Sequence, residues 1–145
     1  QLFAGRQGLV MVKDEVGNAY IPSLGVDDIG TWQPSNGYQV YVGVAQTLTL
    51  QGTALEPGTT IDLEAGWNLV AFYPRMPMDV STAFSTIANQ VVMVKDEVGN
   101  AYIPSLGVND IGTLEPGNGY QVYVQEAVSF AYPSQETAAA TPDAP

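Results

Sequence analysis

The feature that most constrains the fold is an internal repeat. The stretch MVKDEVGNAYIPSLGV begins at Met11; 82 positions on, at Met93, it begins again, and the correspondence then continues with small differences. It runs as far as Val42 against Val124, where NGYQVYV recurs. Only four pairs within it differ: Asp27/Asn109, Trp32/Leu114, Gln33/Glu115 and Ser35/Gly117. Near-identity at a fixed offset means one structural unit used twice, and the unit has to be read before any single motif.

The second copy carries the fuller version. It opens with TTIDLEAGWNLVAFYP. Ile61 and Leu63, then Leu69, Ala71 and Tyr73, alternate with their neighbours, which predicts two strands around a turn at 64–66. In MDVSTAFSTIANQ, Asp79 or Ser81 can cap a helix, Val80, Phe84 and Ile87 fall at helical spacing, and the helix should end near Asn89. VVMVKDEVGNAYIPSLG predicts a hairpin of strands 91–94 and 101–103. Asp96, Gly99 and Asn100 supply the turn, and Pro104 closes the second strand. EPGNGYQVYV places a Pro-Gly turn before a strand with Tyr120, Val122 and Val124 on one face and Gln121 and Tyr123 on the other. Residues 128–132 form a last strand. The expected fold is α+β, predominantly β: two tandem pseudo-symmetric β-rich modules sharing an interface, each with one short helix. Residues 1–52 are the incomplete first module and 53–133 the complete second. Residues 134–145, small, polar and Pro-containing, read as a flexible tail or linker.

The first copy starts late. Aligning Met11 with Met93 sets Gln1 opposite Ala83, Leu2 opposite Phe84 and Gly5 opposite Ile87. Gly5 and Gly8 make this stretch a poorer helix former than its counterpart. The strand equivalent to 66–74 would lie before Gln1, and without it the first module is expected to have an open sheet edge and an uncovered apolar groove. Either the chain is a piece of a longer protein, or a neighbouring chain supplies the strand. Strand addition satisfies edge N–H and C=O groups, and repeated head to tail it builds an open fibre. On that reading Gln1, Leu2 and Phe3 would meet a donor strand carrying Val128, Phe130 and Tyr132.

Charge and missing residue types exclude several functions. Fifteen acidic residues face four basic ones, a net charge of −11, which repels phosphate backbones and anionic membrane surfaces. No apolar run approaches the ~20 residues of a membrane span. There is no cysteine and no histidine. That removes disulfides, thiolate chemistry, the commonest general base and the commonest transition-metal ligand. Ser23 and Ser105 lie in YIPSLG rather than in the Gly-x-Ser-x-Gly of a nucleophile elbow. Lys13 and Lys95 stand beside acidic residues, as surface pairs do. No enzyme activity and no cofactor are expected.

Two site types remain. Asp14, Asp27, Asp28, Asp96 and Asp110 are weak calcium candidates, since calcium takes six to eight oxygens. Their spacing is not that of an EF-hand loop, and a solvated acidic turn is the plainer reading. The aromatic residues could form a sugar-stacking face, with Trp32 and Tyr38 as the contacts. Tyr20, Tyr41, Tyr102, Tyr120 and Tyr123 are equally at home as sheet packing.

GWNLVAFYP, the short helix and VVMVKDEVGNAYIPSLGVNDIGTLEPGNGYQVYV together resemble a repeat module of large secreted and cell-surface proteins of Bacteroidetes-like bacteria. Such modules have a Gly-Trp-Asn-Leu opening, a Tyr-x-Pro segment and a Pro-Gly-x-Gly-Tyr closing strand. The resemblance spans about Val10 to Tyr132, and the first copy departs from it by lacking the opening. It implies a secreted or cell-surface location in a multidomain exported protein, beside adhesive or enzymatic domains, and brings no catalytic residues. The function expected is that of a non-catalytic structural subunit of a filament, stalk or surface layer. It would be a homo-oligomer or polymer with other surface proteins as further partners. A carbohydrate-binding or adhesive accessory module is the alternative.

Overall fold

The computed structural model describes residues 8–47 and 55–134, and within them the repeat is plain in the backbone. The first copy forms β1 (Leu9–Lys13), β2 (Ala19–Ile21), β3 (Val26–Asp27) and β4 (Gln39–Val42), ordered β3-β2-β1-β4 in one antiparallel sheet. The second begins with β5 (Ile61–Leu63), β6 (Gly66–Ala71), β7 (Met78–Asp79) and α1 (Val80–Ala83). It continues with β8 (Val91–Lys95), β9 (Ala101–Ile103), β10 (Val108–Asn109), β11 (Thr113–Leu114), β12 (Gly119–Val124) and β13 (Val128–Phe130). Its main sheet is ordered β10-β9-β8-β12-β6, with two small pairs, β11-β7 and β13-β5, beside it. The fold is thus α+β with strands predominant. β8, β9, β10 and β12 repeat β1, β2, β3 and β4, and β6 is the addition.

Local chemistry explains why both copies turn alike. Asp14 Oδ1 accepts from the N–H of Val16 at 3.1 Å and of Asn18 at 2.8 Å, while Oδ2 accepts from Asn18 Nδ2 at 2.9 Å. Asp96 repeats these bonds with Val98 and Asn100 at the same distances. An aspartate that satisfies the turn's own donors fixes the hairpin without help from the rest of the chain. Pro22 and Pro104 then each start a single 3₁₀ turn, 22–24 and 104–106.

One expectation needs correction. The helix after Asp79 is one α turn, α1, followed by a 3₁₀ turn at 85–87. Asp79 makes no side-chain cap, because β7 runs straight into α1 and the Val80 N–H donates to the Gly112 carbonyl. Val80, Phe84 and Ile87 are nonetheless all buried, as their spacing implied. The two strands expected around 64–66 are present as β5 and β6, and each pairs elsewhere: β5 joins β13 and β6 joins β12. Asn68, itself buried, holds the corner. Its Oδ1 accepts from Glu64 N–H at 2.9 Å, and its Nδ2 donates to the carbonyls of Glu64 at 2.9 Å and Gly66 at 3.1 Å. Gly66 turns the corner at φ +99°, where a side chain would be strained.

The core belongs to the second copy. Among the described residues, nine large side chains are almost wholly buried, and Val12 is the only one of these from the first copy. At about 1.5–3 kcal/mol for each fully buried apolar side chain, the second copy holds most of the hydrophobic stabilisation. In the first copy Val12 and Tyr20 form a small cluster with Leu9, Ile29, Trp32 and Tyr38. The counterpart of α1 there, the junction between modules and the end of the tail lie outside the described residues.

Candidate functional site

The two copies meet along the outer edge of β6. Ser35–Gly37 runs antiparallel to it, with Asn36 bridged to Val70. The Gly37 N–H donates to the Leu69 carbonyl at 2.9 Å and the Ala71 N–H to the Ser35 carbonyl at 3.0 Å. Glu15, from the first copy's hairpin turn, accepts the Leu69 N–H on Oε1 at 2.9 Å. An exposed strand edge invites pairing with other chains. Here the first copy covers the second copy's edge with two backbone bonds and a carboxylate. Gly37 is required by this approach. A Cβ there would sit 3.0 Å from Leu69 Cγ and 3.1 Å from the Val70 carbonyl oxygen.

The first copy's own edge has no such cover among the described residues. β4 pairs with β1 on one side and with no described strand on the other. The Gly43 N–H donates to Gly8, so the alternate residues Gln39 and Tyr41 bond toward β1 while Val40 and Val42 face outward. The sequences 36–42 and 118–124 are identical. Yet Val122 is 0% exposed and Val40 is 44% exposed, and Tyr123 is 36% exposed against 64% for Tyr41. The second copy has two things that the first lacks among the described residues: the layer of β5, α1 and β13 that shares Val122's core, and β6 at the strand edge. β6 pairs with β12 through Gly66↔Val124, Trp67↔Tyr123, Asn68↔Val122 and Leu69↔Gln121, and β4 has no equivalent among the described residues.

The expected site residues fall as follows. Gln1, Leu2 and Phe3 lie outside the described residues. Val128, Phe130 and Tyr132, expected as a donor strand, are already committed within their own module. β13 pairs with β5, Phe130 and Tyr132 are buried, and the Tyr132 hydroxyl donates to the Ala71 carbonyl at 3.0 Å. They cannot be lent to a neighbour without emptying the core. Trp32 and Tyr38, expected as sugar contacts, stack edge to face at 4.7 Å over the first copy's small cluster. The Tyr38 hydroxyl accepts from the Gln33 N–H at 2.8 Å, as Tyr120 does from Glu115.

The calcium candidates are spread over turns rather than gathered. Among the described residues no three carboxylates come together as a metal site. Asp14 and Asp96 use their oxygens on their own turns. At Asp96 slight burial pushes the pKa up, and bonds from Asn100, Val98 and Gly99 outweigh it, holding the carboxyl below its ordinary value. Asp27 Oδ1 accepts from the Gly30 N–H at 3.2 Å, and Asn109 Oδ1 does the same for Gly112 at 2.9 Å. The turn needs one acceptor oxygen, so Asp and Asn serve alike. Asp28 and Asp110 are exposed in the next loop position.

Sequence reasoning missed two features. Glu15 differs in role from its twin Glu97 only because β6 lies beside it, and nothing in the repeat signals that. Trp67 belongs to the opening strand, and nothing in the sequence marks it as part of a site. It is 50% exposed, stands edge to face with Tyr123 at 5.1 Å and has Lys95 Nζ 5.8 Å from its ring centroid. It borders a cleft of about 150 Å³ at the seam with Gln39, Asn68 and Gln121. An adjoining cleft of about 350 Å³ shares Gln39, Leu69 and Gln121 and adds Lys95 and Glu97. No helix among the described residues is long and apolar enough to cross a membrane. A scan against protein-family models, a search of curated proteins and a search of solved structures each found no match, so the reading of these sites rests on the chain's own two copies.

Proposed function

We propose that this chain is a non-catalytic structural module of an extracellular or cell-surface assembly, joined to its neighbours through the open edge of β4. The observation that carries this is one sequence in two states: the outer edge of β12 is paired with β6, and that of β4 has no described partner. Strand N–H and C=O groups without a partner among the described residues, flanked by exposed Val40 and Tyr41, favour the addition of a further strand. A chain without histidine or cysteine has few routes to catalysis. Sedimentation velocity over a concentration series tests the reading. The chain is expected to associate as concentration rises, and Val40→Lys, which sets a charge on the edge, to remain monomeric with unchanged melting. A particle that is monomeric throughout the series overturns self-assembly.

A second reading, a carbohydrate-binding accessory module, draws on Trp67 rather than on Trp32 and Tyr38. An exposed indole, with Lys95 over its ring, borders a cleft lined by two glutamine amides and by Lys13, Asp14 and Glu15, so an aromatic plane stands beside several hydrogen-bonding groups, which suits a sugar ring. Glycan-array binding that Trp67→Ala abolishes would favour it, and a blank array would remove it.

A further inference from the structure

We infer that the edge of β4 accepts an antiparallel strand of Gly-Trp-Asn-Leu type, set with its tryptophan opposite Tyr41 and its asparagine opposite Val40. The inference deepens the assembly reading and rests on it. β12 is the template. It has the sequence of β4 and its flank, and lies against β8, which matches β1 from Met93 onward. Its outer edge is filled by β6 in a fixed register. Three contacts in that register belong to residue types rather than to backbone alone. Trp67 meets Tyr123 edge to face at 5.1 Å, Asn68 Nδ2 reaches the Val122 carbonyl at 3.4 Å, and Gly66 lies opposite Val124. Tyr41, Val40 and Val42 offer the same partners on β4. The chain's own β6 cannot be the occupant while folded, since β12 takes one of its edges and Ser35–Gly37 with Glu15 takes the other. Nor can β13, which is held in the core. The occupant is therefore a β6-like strand from another polypeptide segment. Two β4 edges laid against each other would satisfy the backbone but lack the Trp–Tyr and Asn–carbonyl contacts, so the strand should displace them.

The test uses a fluorescein-labelled peptide with the sequence of residues 62–71, DLEAGWNLVA, added to the intact chain and followed by anisotropy. Saturable one-to-one binding is expected, with at least a tenfold loss when the peptide tryptophan becomes alanine. Val40→Pro should abolish binding, because it removes an outward N–H, while the fold survives, since an edge strand tolerates proline on that side. If Val40→Pro does not fold, Tyr41→Ser decides, since the exposed ring can be removed safely and its loss must weaken binding. Failure to bind while the chain still associates in sedimentation overturns the inference and leaves the assembly reading standing. Failure to bind by a chain that is also monomeric overturns both. Binding by a chain that is otherwise monomeric supports the inference and removes self-assembly alone.

Discussion

Gly37 and Gly119 occupy the same place in two copies of NGYQVYV, and alanine should affect them oppositely. A Cβ on Gly37 would lie 3.0 and 3.2 Å from Leu69 Cγ and Cδ1 and 3.1 Å from the Val70 carbonyl oxygen. Leu69 is packed at 8% exposure, and the Val70 backbone lies in a paired strand, so neither can yield cheaply. Overpacking of this kind costs about 1–3 kcal/mol. If the segment withdraws instead, two backbone hydrogen bonds across the seam go, at about 0.5–1.5 kcal/mol each. Gly37→Ala should therefore destabilise by about 2–3 kcal/mol. A Cβ on Gly119 finds its nearest neighbour at 3.6 Å, an ordinary contact. Gly119→Ala should be neutral, or stabilising by up to about 1 kcal/mol through the unfolded chain. Urea unfolding followed by tryptophan fluorescence measures both, because Trp32 reports on one copy and Trp67 on the other. Equal costs at the two glycines, or a larger cost at Gly119, would refute the seam described above.

Other consequences are more local. Asn68→Ala should cost about 2–3 kcal/mol in the same urea assay, since it strips the buried corner of the bonds to Glu64, Gly66 and Val122. Asn109→Asp should shift stability by less than about 0.5 kcal/mol, because Asp27 already does the same work in the other copy. Burial, with Tyr73 and Tyr120 nearby, pushes the Tyr132 hydroxyl far above the ordinary tyrosine value of 10.0, and burial raises Tyr73 as well. The folded state thus favours the neutral phenols. Stability should be flat below about pH 10 and fall as pH climbs above it, with a shallower fall in Tyr132→Phe, read by thermal melts across pH.

What could be read from the sequence was what is local. The turn at Asp96 is built from residues two and four positions away, so DEVGN specifies it wherever it occurs. The alternation of Tyr120, Val122 and Val124 against Gln121 and Tyr123 likewise fixed which side chains go inward, and all three of the former are buried. What failed was non-local. The two strands flanking 64–66 are legible, but not their partners, because Asn68 holds a corner that sends them to β13 and β12. Val128–Tyr132 reads as a free apolar strand until Phe130 and Tyr132 are seen against Phe84 in the core. Trp32 replaces a leucine that is fully buried in the second copy, beside α1 and paired with β7; in the first copy the larger ring covers the small cluster with Tyr38. The immediate sequences of Val40 and Val122 are identical, so their different exposures could be anticipated only by comparing the two copies, of which the first lacks a counterpart of β6 among the described residues.

Amide hydrogen exchange, resolved by NMR, tests the central claim that the first copy is open where the second is filled. In the dilute chain the N–H groups of Val40 and Val42 should exchange rapidly, and those of Val122 and Val124 should be protected by β6. Protection at Val40 and Val42 equal to that of their twins, in a chain shown to be monomeric, would mean that the edge is already occupied and would contradict the account.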